Sequence, residues 1–352
     1  MKKQNVIVIP IFMLMFCVLL TGCNRKEKQV PLSELMDWNK EKISESGYPE
    51  WAPALIQNHR YVFYENLDKE IIRIDKQSKN KKIIRKLKKL PDSTYDVGMA
   101  LVHNTLYYMY DSCLYQCDVN GDNVRQLVSK QDLKRFVKGK NIQDTVDGVK
   151  FYKNDMYLII GCDVLVRFHA ETKEFEIIAK EIDSGAFYKD SLYYIDATAI
   201  YKVNLKTLKR TLVRGKKWSK RFLKSDDTVY YQEVMKIKGK LYYTCYQGKW
   251  VSEGAAPSRL YLCKENGKDI KKYNASVTLF HSANDGSKIA YYDVHPTQNK
   301  FLLIIYDVDT GRERKMELPK NFYDIVQLED DILLYRSDLE TASAIKIDCK
   351  AE

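Results

Sequence analysis

An all-β fold made by repeating one unit is what this sequence of 352 residues predicts, on three observations. A five-residue motif recurs: an apolar residue, often Tyr or Ile next, a variable position, a second apolar residue, and usually an acid or amide. A tyrosine-rich apolar run precedes every copy. No convincing helix of ten or more residues interrupts the series after residue 55.

The copies are IIRID (71–75), LYQCD (114–118), LVRFH (165–169), IYKVN (200–204), LYLCK (260–264), IYDVD (305–309) and AIKID (344–348). Their spacing averages about 45 residues, a period that marks a β-propeller when each period holds several short strands. The runs YVFY, LYYM, MYLI, LYYI, LYYT, IAYY and LLYR stand before them in order. Small polar turns such as His103-Asn104, Asn154-Asp155 and Lys189-Asp190 precede most of these runs, and a turn with a last strand follows most motifs. Apolar strand, tyrosine strand, motif strand and outer strand make one four-stranded blade. Seven such blades are expected.

The paired tyrosines follow from this arrangement. Successive strand residues point to opposite faces of a sheet, and a blade is covered by a neighbour on each face, so its inner strands lose polar alternation. Adjacent tyrosines then pack against two different neighbours. Most of the 26 tyrosines are therefore core. The last unit ends without an outer strand, and an open sheet edge is a liability. Residues 24–53 are the candidates to close the ring, around 28–32, unless 33–46 form a short helix ended by Gly47.

LYYIDATAIYKVNLKT (192–207) and LYYMYDSCLYQCDVNG (106–121) resemble the YWTD propellers of low-density-lipoprotein-receptor relatives and the secreted bacterial propellers similar to them. The resemblance spans roughly residues 54–350. It implies a structural repeat and carries over no catalytic residue. The Asp at the family's fourth motif position is matched by Asp196 alone.

The chain opens MKKQNVIVIPIFMLMFCVLLTGC. Two lysines, a 15-residue apolar run (6–20) and small residues read as an export signal, because a bilayer span needs about 20 residues. Leu-Thr-Gly-Cys resembles the lipobox of bacterial lipoproteins. That likeness implies cleavage before Cys23, diacylglycerol on its sulfur and palmitate-type acylation. The expected division is a signal peptide over 1–22, a lipidated tether and ring-closing segment over 23–53, and the propeller over 54–352. The expected address is the bacterial cell membrane, lipid-anchored on the extracytoplasmic side.

Eight cysteines are present. Cys117 and Cys263 fill the second apolar slot of their motifs and read as small buried hydrophobes. Cys113 and Cys117 lie about 13 Å apart along one strand, too far for a disulfide. Cys113 and Cys162 sit near the same turn of neighbouring units and are the pair that geometry permits. The five histidines lack metal spacing, so neither a metal nor a cofactor is expected.

Net charge is +11, or about +9 after signal removal, which favours anionic partners. Three basic runs stand out: 81–89, 130–140 and 214–224. The last contains the candidate anion-binding residues Lys216, Lys217, Trp218, Lys220, Arg221 and Lys224. The expected function is a lipid-anchored binding or scaffold propeller of the cell envelope whose partners are the membrane and an anionic polymer or acidic protein. Nucleic acid is not an expected partner. The alternatives are an envelope polysaccharide hydrolase or lyase with its site at the propeller channel, or an accessory subunit of a membrane complex.

Overall fold

The computed structural model describes residues 32–35, 43–44, 53, 55–88, 98–216, 229–247, 258–264, 266–268, 271–282, 287–295, 300–319, 322, 324–329, 332–336 and 341–346. All of them fall within the unit Pro31–Glu352. A 3-10 turn at Leu32–Glu34 is followed by β1 (Ile43–Ser44). The first sheet is β2 (Leu55–Gln57), β3 (Tyr61–Glu65), β4 (Glu70–Asp75) and β5 (Lys81–Lys86), in that order. The second is β6 (Met99–Val102), β7 (Thr105–Tyr110), β8 (Cys113–Asp118) and β9 (Arg125–Val128). Helix α1 (Lys130–Val137) comes next, with Ser129 and Asp132 forming a capping box at its start. The third sheet is β10 (Val146–Tyr152), β11 (Asp155–Ile160), β12 (Val164–His169) and β13 (Glu174–Ala179). The fourth is β14 (Ser184–Tyr188), β15 (Ser191–Ile195), β16 (Ala199–Asn204) and β17 (Arg210–Gly215).

The next seven strands form one sheet: β18 (Val229–Ile237), β19 (Lys240–Gln247), β20 (Ser258–Cys263), β21 (Lys271–Ser282), β22 (Lys288–His295), β23 (Lys300–Asp307) and β24 (Glu313–Glu317). The last sheet is β25 (Asp324–Glu329), β26 (Ile332–Arg336) and β27 (Thr341–Lys346), completed on its outer edge by β1. Ile43 pairs with Ala342 and Ser44 with Thr341.

This is an all-β propeller of mostly four-stranded sheets, as the repeat predicts. The described residues form six sheets rather than the expected seven. The fifth and sixth repeats merge because β21 serves both. Its first half pairs with β20, at Lys271 to Leu262 and Ser276 to Arg259. Its second half pairs with β22, at Phe280 to Tyr291 and Ser282 to Ile289. Met235, Tyr242 and Leu260 of one half nevertheless pack against Ile289, Tyr291 and Ile304 of the other, so the sheet folds over its own core.

Ring closure uses the segment preceding the first blade, but at Ile43–Ser44 rather than around 28–32. A second device reinforces it. The Gln327 side chain accepts from Leu55 N–H at 3.1 Å and donates to Leu55 C=O at 2.7 Å, tying the inner strand of the last sheet to that of the first.

The tyrosine pairs divide as the alternation requires. Tyr193 packs with Tyr231, Val234 and Leu241 of the following sheet, whereas Tyr194 packs with Tyr157, Ile159 and Leu165 of the preceding one. Tyr242 and Tyr243 repeat that split. Cys117 and Cys263 are core residues between sheets, and burial pushes the Cys117 thiol up to about 11. Cys113 is buried and Cys162 exposed, and neither is in a disulfide, so the pairing weighed for them does not form.

The motif acid has a local role. Asp75 accepts from the N–H groups of Gln77 and Ser78, Asp118 from Asn120 and Asp122, and Asn204 from Lys206 and Thr207. Each side chain closes the turn into the outer strand as an Asx-turn. In the sixth unit Asp307 does this, accepting from Asp309 and Thr310. The true register there lies two residues before the one that IYDVD suggests.

In an antiparallel series the first and third turns of every unit leave the sheets on one face. Second turns and the links between units leave on the other. These are the turn face and the link face below.

Candidate functional site

The strands β2, β6, β10, β14, β18 and β25 each end their sheet, and residues of all six line one central cavity of about 420 Å³. Unpaired strand edges expose backbone donors and acceptors, so the wall carries polar backbone even where side chains are apolar. The volume suits a small ligand or one end of a chain. Among the described residues lining it, the charged side chains are Lys150 and Lys236, with no carboxylate. Tyr152, Phe151 and Phe187 add aromatic surface, and Tyr152 stacks on Phe187 with ring centroids 4.8 Å apart.

Lys236 is buried. Its ammonium lies 4.8 Å from the centroid of the Tyr193 ring and 5.2 Å from that of Tyr188, where the ring quadrupoles favour the cation. Packing of β18 against β14 creates that cradle. Gln327 also lines the cavity, but its amide is committed to Leu55. Sequence reading missed this site because Lys150 and Lys236 belong to no charge run; the topology alone brings them together.

The basic runs fall on an outer strand, a short helix and the start of a link, all of them leading from one sheet to the next. Residues 81–88 are mostly the outer strand β5, where Lys86 pairs with Glu70 at 2.8 Å. Charges on such an edge discourage strand addition. The second run is largely α1, with Lys130 paired to Asp111 and Arg135 to Asp132, both at 2.7 Å. Both reach the link face, the first as a strand end and the second as a helix rather than an open loop. Lys216 follows β17, is exposed, and donates its N–H to Thr198 C=O at 3.3 Å. Lys217, Trp218, Lys220, Arg221 and Lys224 lie outside the described residues, as does Cys23.

Acids occupy the link face of the third and fourth sheets. Asp147 accepts from Cys162 N–H at 2.8 Å and Thr145 Oγ1 at 2.9 Å, and Asp183 accepts from Ala197 N–H at 2.8 Å. They brace the hairpins beside them. Asp196, the residue matching the YWTD Asp, is buried against Arg210 at 2.8 Å. The Arg210 guanidinium lies 3.5 Å from the centroid of the Tyr201 ring.

Burial pushes Asp196 up to about 6, with Arg210 opposing. A carboxyl whose folded pKa is raised holds its proton better when folded. The contribution of Asp196 to stability is therefore greatest below about 4 and declines as pH rises through about 6. Carbon-detected NMR titration should place Asp196 near 6, Arg210→Met should raise it further, and Asp196→Asn should flatten the stability profile between about pH 4 and 6. A midpoint near the ordinary Asp value overturns this.

No protein-family model and no curated protein sequence matches the chain. Solved structures do match in three dimensions. Oligogalacturonate lyase from Vibrio parahaemolyticus is similar at TM-score 0.56 and 11% identity, over 89% of this chain and 92% of that one. The AfRom2 CNH domain is similar at TM-score 0.51 and 11% identity, over 86% of this chain and 96% of that one. No described helix is long and apolar enough to cross a membrane. Likeness at this identity concerns architecture, and it agrees with the strand order: the chain is a β-propeller.

Proposed function

We propose that this protein is a lipid-anchored binding propeller of the bacterial envelope that receives an anionic group of an envelope polymer in its central cavity. The observation that carries the reading is the cavity lining, in which Lys150 and Lys236 are the charged side chains among the described residues. A cation in a partly enclosed, low-dielectric setting attracts an anion more strongly than an exposed one. The YWTD-like repeat and the lipobox-like residues before Cys23 support the bacterial lipoprotein reading. The run Lys216, Lys217, Trp218, Lys220, Arg221 and Lys224 supports the same reading by its charge, and Trp218 offers an apolar side chain.

Calorimetric titration with anionic cell-wall polymer fragments tests this. Lys150→Gln combined with Lys236→Met should weaken binding at least tenfold, about 1.4 kcal/mol. Replacing Lys216, Lys217, Lys220, Arg221 and Lys224 by Gln should give a smaller loss that salt reproduces. Unchanged affinity in the cavity variant sinks the proposal. Depolymerisation of the ligand would turn the reading toward an enzyme at the same cavity.

A further inference from the structure

Cations concentrate on the turn face of the third to sixth repeats. Lys153 and Lys189 occupy first turns there, Lys206 and Lys209 the third turn of the fourth sheet, Lys238 the β18–β19 turn and Lys268 the β20–β21 turn. All six are exposed. Neighbouring turns are linked there: Lys153 and Lys206 both bond Asp190, Lys238 bonds Asp309, and Gly239 beside Lys238 lies against the Tyr188 hydroxyl of the fourth sheet. The exposed Glu171 also stands on this face, in the third turn of the third sheet. The link face of the third and fourth sheets carries Asp147, Asp163, Glu181, Asp183 and Asp196 together with Lys180 and Lys216.

The chain also enters at the turn face. Lys79, in the third turn of the first sheet, donates to Glu34 C=O at 2.8 Å, which holds the 3-10 turn beside that face. Leu32 and Leu35 are buried there. β1 then runs antiparallel to β27, which carries the chain from the turn face to the link face before β2 begins. Nine residue steps separate Cys23 from Leu32, at most about 30 Å of extended chain.

We propose that the turn face is a membrane-apposed surface that contacts anionic phospholipid headgroups, leaving the link face outward. The orientation rests on the reading of Cys23 as the lipid anchor; the lysine surface does not. A short tether beginning at this face keeps it near the bilayer, where the anionic surface potential attracts lysines within about a Debye length, roughly 8 Å at physiological salt. The pairs with Asp190 and Asp309 are exposed, and such pairs contribute little, so they compete weakly with headgroups.

The unit Pro31–Glu352 contains every described strand, including the closing β1. Expressed alone it has neither signal nor lipid and reports the surface by itself. It should co-sediment with phosphatidylcholine vesicles containing one quarter phosphatidylglycerol at about 20 mM salt, and not with pure phosphatidylcholine or at about 0.5 M salt. Replacing Lys153, Lys189, Lys206, Lys209, Lys238 and Lys268 by Gln should weaken binding at least tenfold. The same change at Lys86, Lys88, Lys130, Lys138, Lys140 and Lys180, away from these turns, should weaken it less than threefold. Equal losses from the two sets, binding indifferent to phosphatidylglycerol, or no binding overturns the proposal. Full-length protein with Cys23→Ser reports the anchor separately: if it stays lipid-labelled while the vesicle results hold, the anchor reading fails and the surface stands.

Discussion

Truncating Tyr194 to alanine should destabilise the protein by about 3–5 kcal/mol, the range for removing a large buried aromatic side chain. Tyr194 is almost wholly buried, stacks on Tyr201 with ring centroids 5.5 Å apart, and fills the core between the third and fourth sheets. Little around it can collapse, because Tyr157, Leu165 and Ala199 are already packed. Tyr193→Ala should cost a similar amount for a different reason. Its ring fills the core between the fourth and fifth sheets and also carries the Lys236 ammonium. The two adjacent residues serve separate cores, so their costs should add to within about 0.5 kcal/mol. Urea unfolding of the single and double variants measures this. A coupling above about 1 kcal/mol would show that the two faces of the strand are not independent, contrary to the packing.

The second large effect concerns location. Cys23→Ala should move the protein out of the lipid-labelled membrane fraction, because two acyl chains anchor stably whereas one binds only marginally, at about 10⁴ M⁻¹. Fractionation with metabolic fatty-acid labelling reads it directly. Processed, labelled protein persisting in the membrane without this thiol would mean that the Leu-Thr-Gly-Cys resemblance misleads. Because the turn-face lysines supply attraction of their own, the fractionation belongs at high salt as well as low.

The repeat was legible because its cause is local. Strands covered on both faces become continuous apolar runs, and the turn that closes each motif needs an Asp or Asn side chain at one position, as Asp75, Asp118 and Asn204 show. The sixth unit misled for the same reason. Asp307 and Asp309 both stand near the turn, and only the hydrogen bonds tell the closing residue from its exposed neighbour. The merging of two units through β21 was hidden because pairing of one long strand with two partners leaves no mark in composition. The site was less legible than the fold. Charge runs drew attention to 81–89 and 130–140, which are largely an edge strand and a short helix. The cavity lysines and the turn-face lysines arrive singly from distant repeats, and proximity there is a property of ring topology.

The pairing of Ile43 with Ala342 also governs the order in which the molecule can be completed. About 300 residues separate these partners, so β1, made early, has no partner strand until β27 has been made. Contacts of such long separation slow folding, and a nascent chain with an unpaired edge is exposed to wrong partners meanwhile. Earlier sheets are free to form as each repeat emerges, whereas ring closure waits for β27. Ile43 and Ser44 are therefore among the last residues to find their place, and a chain without β27 leaves β1 without a partner.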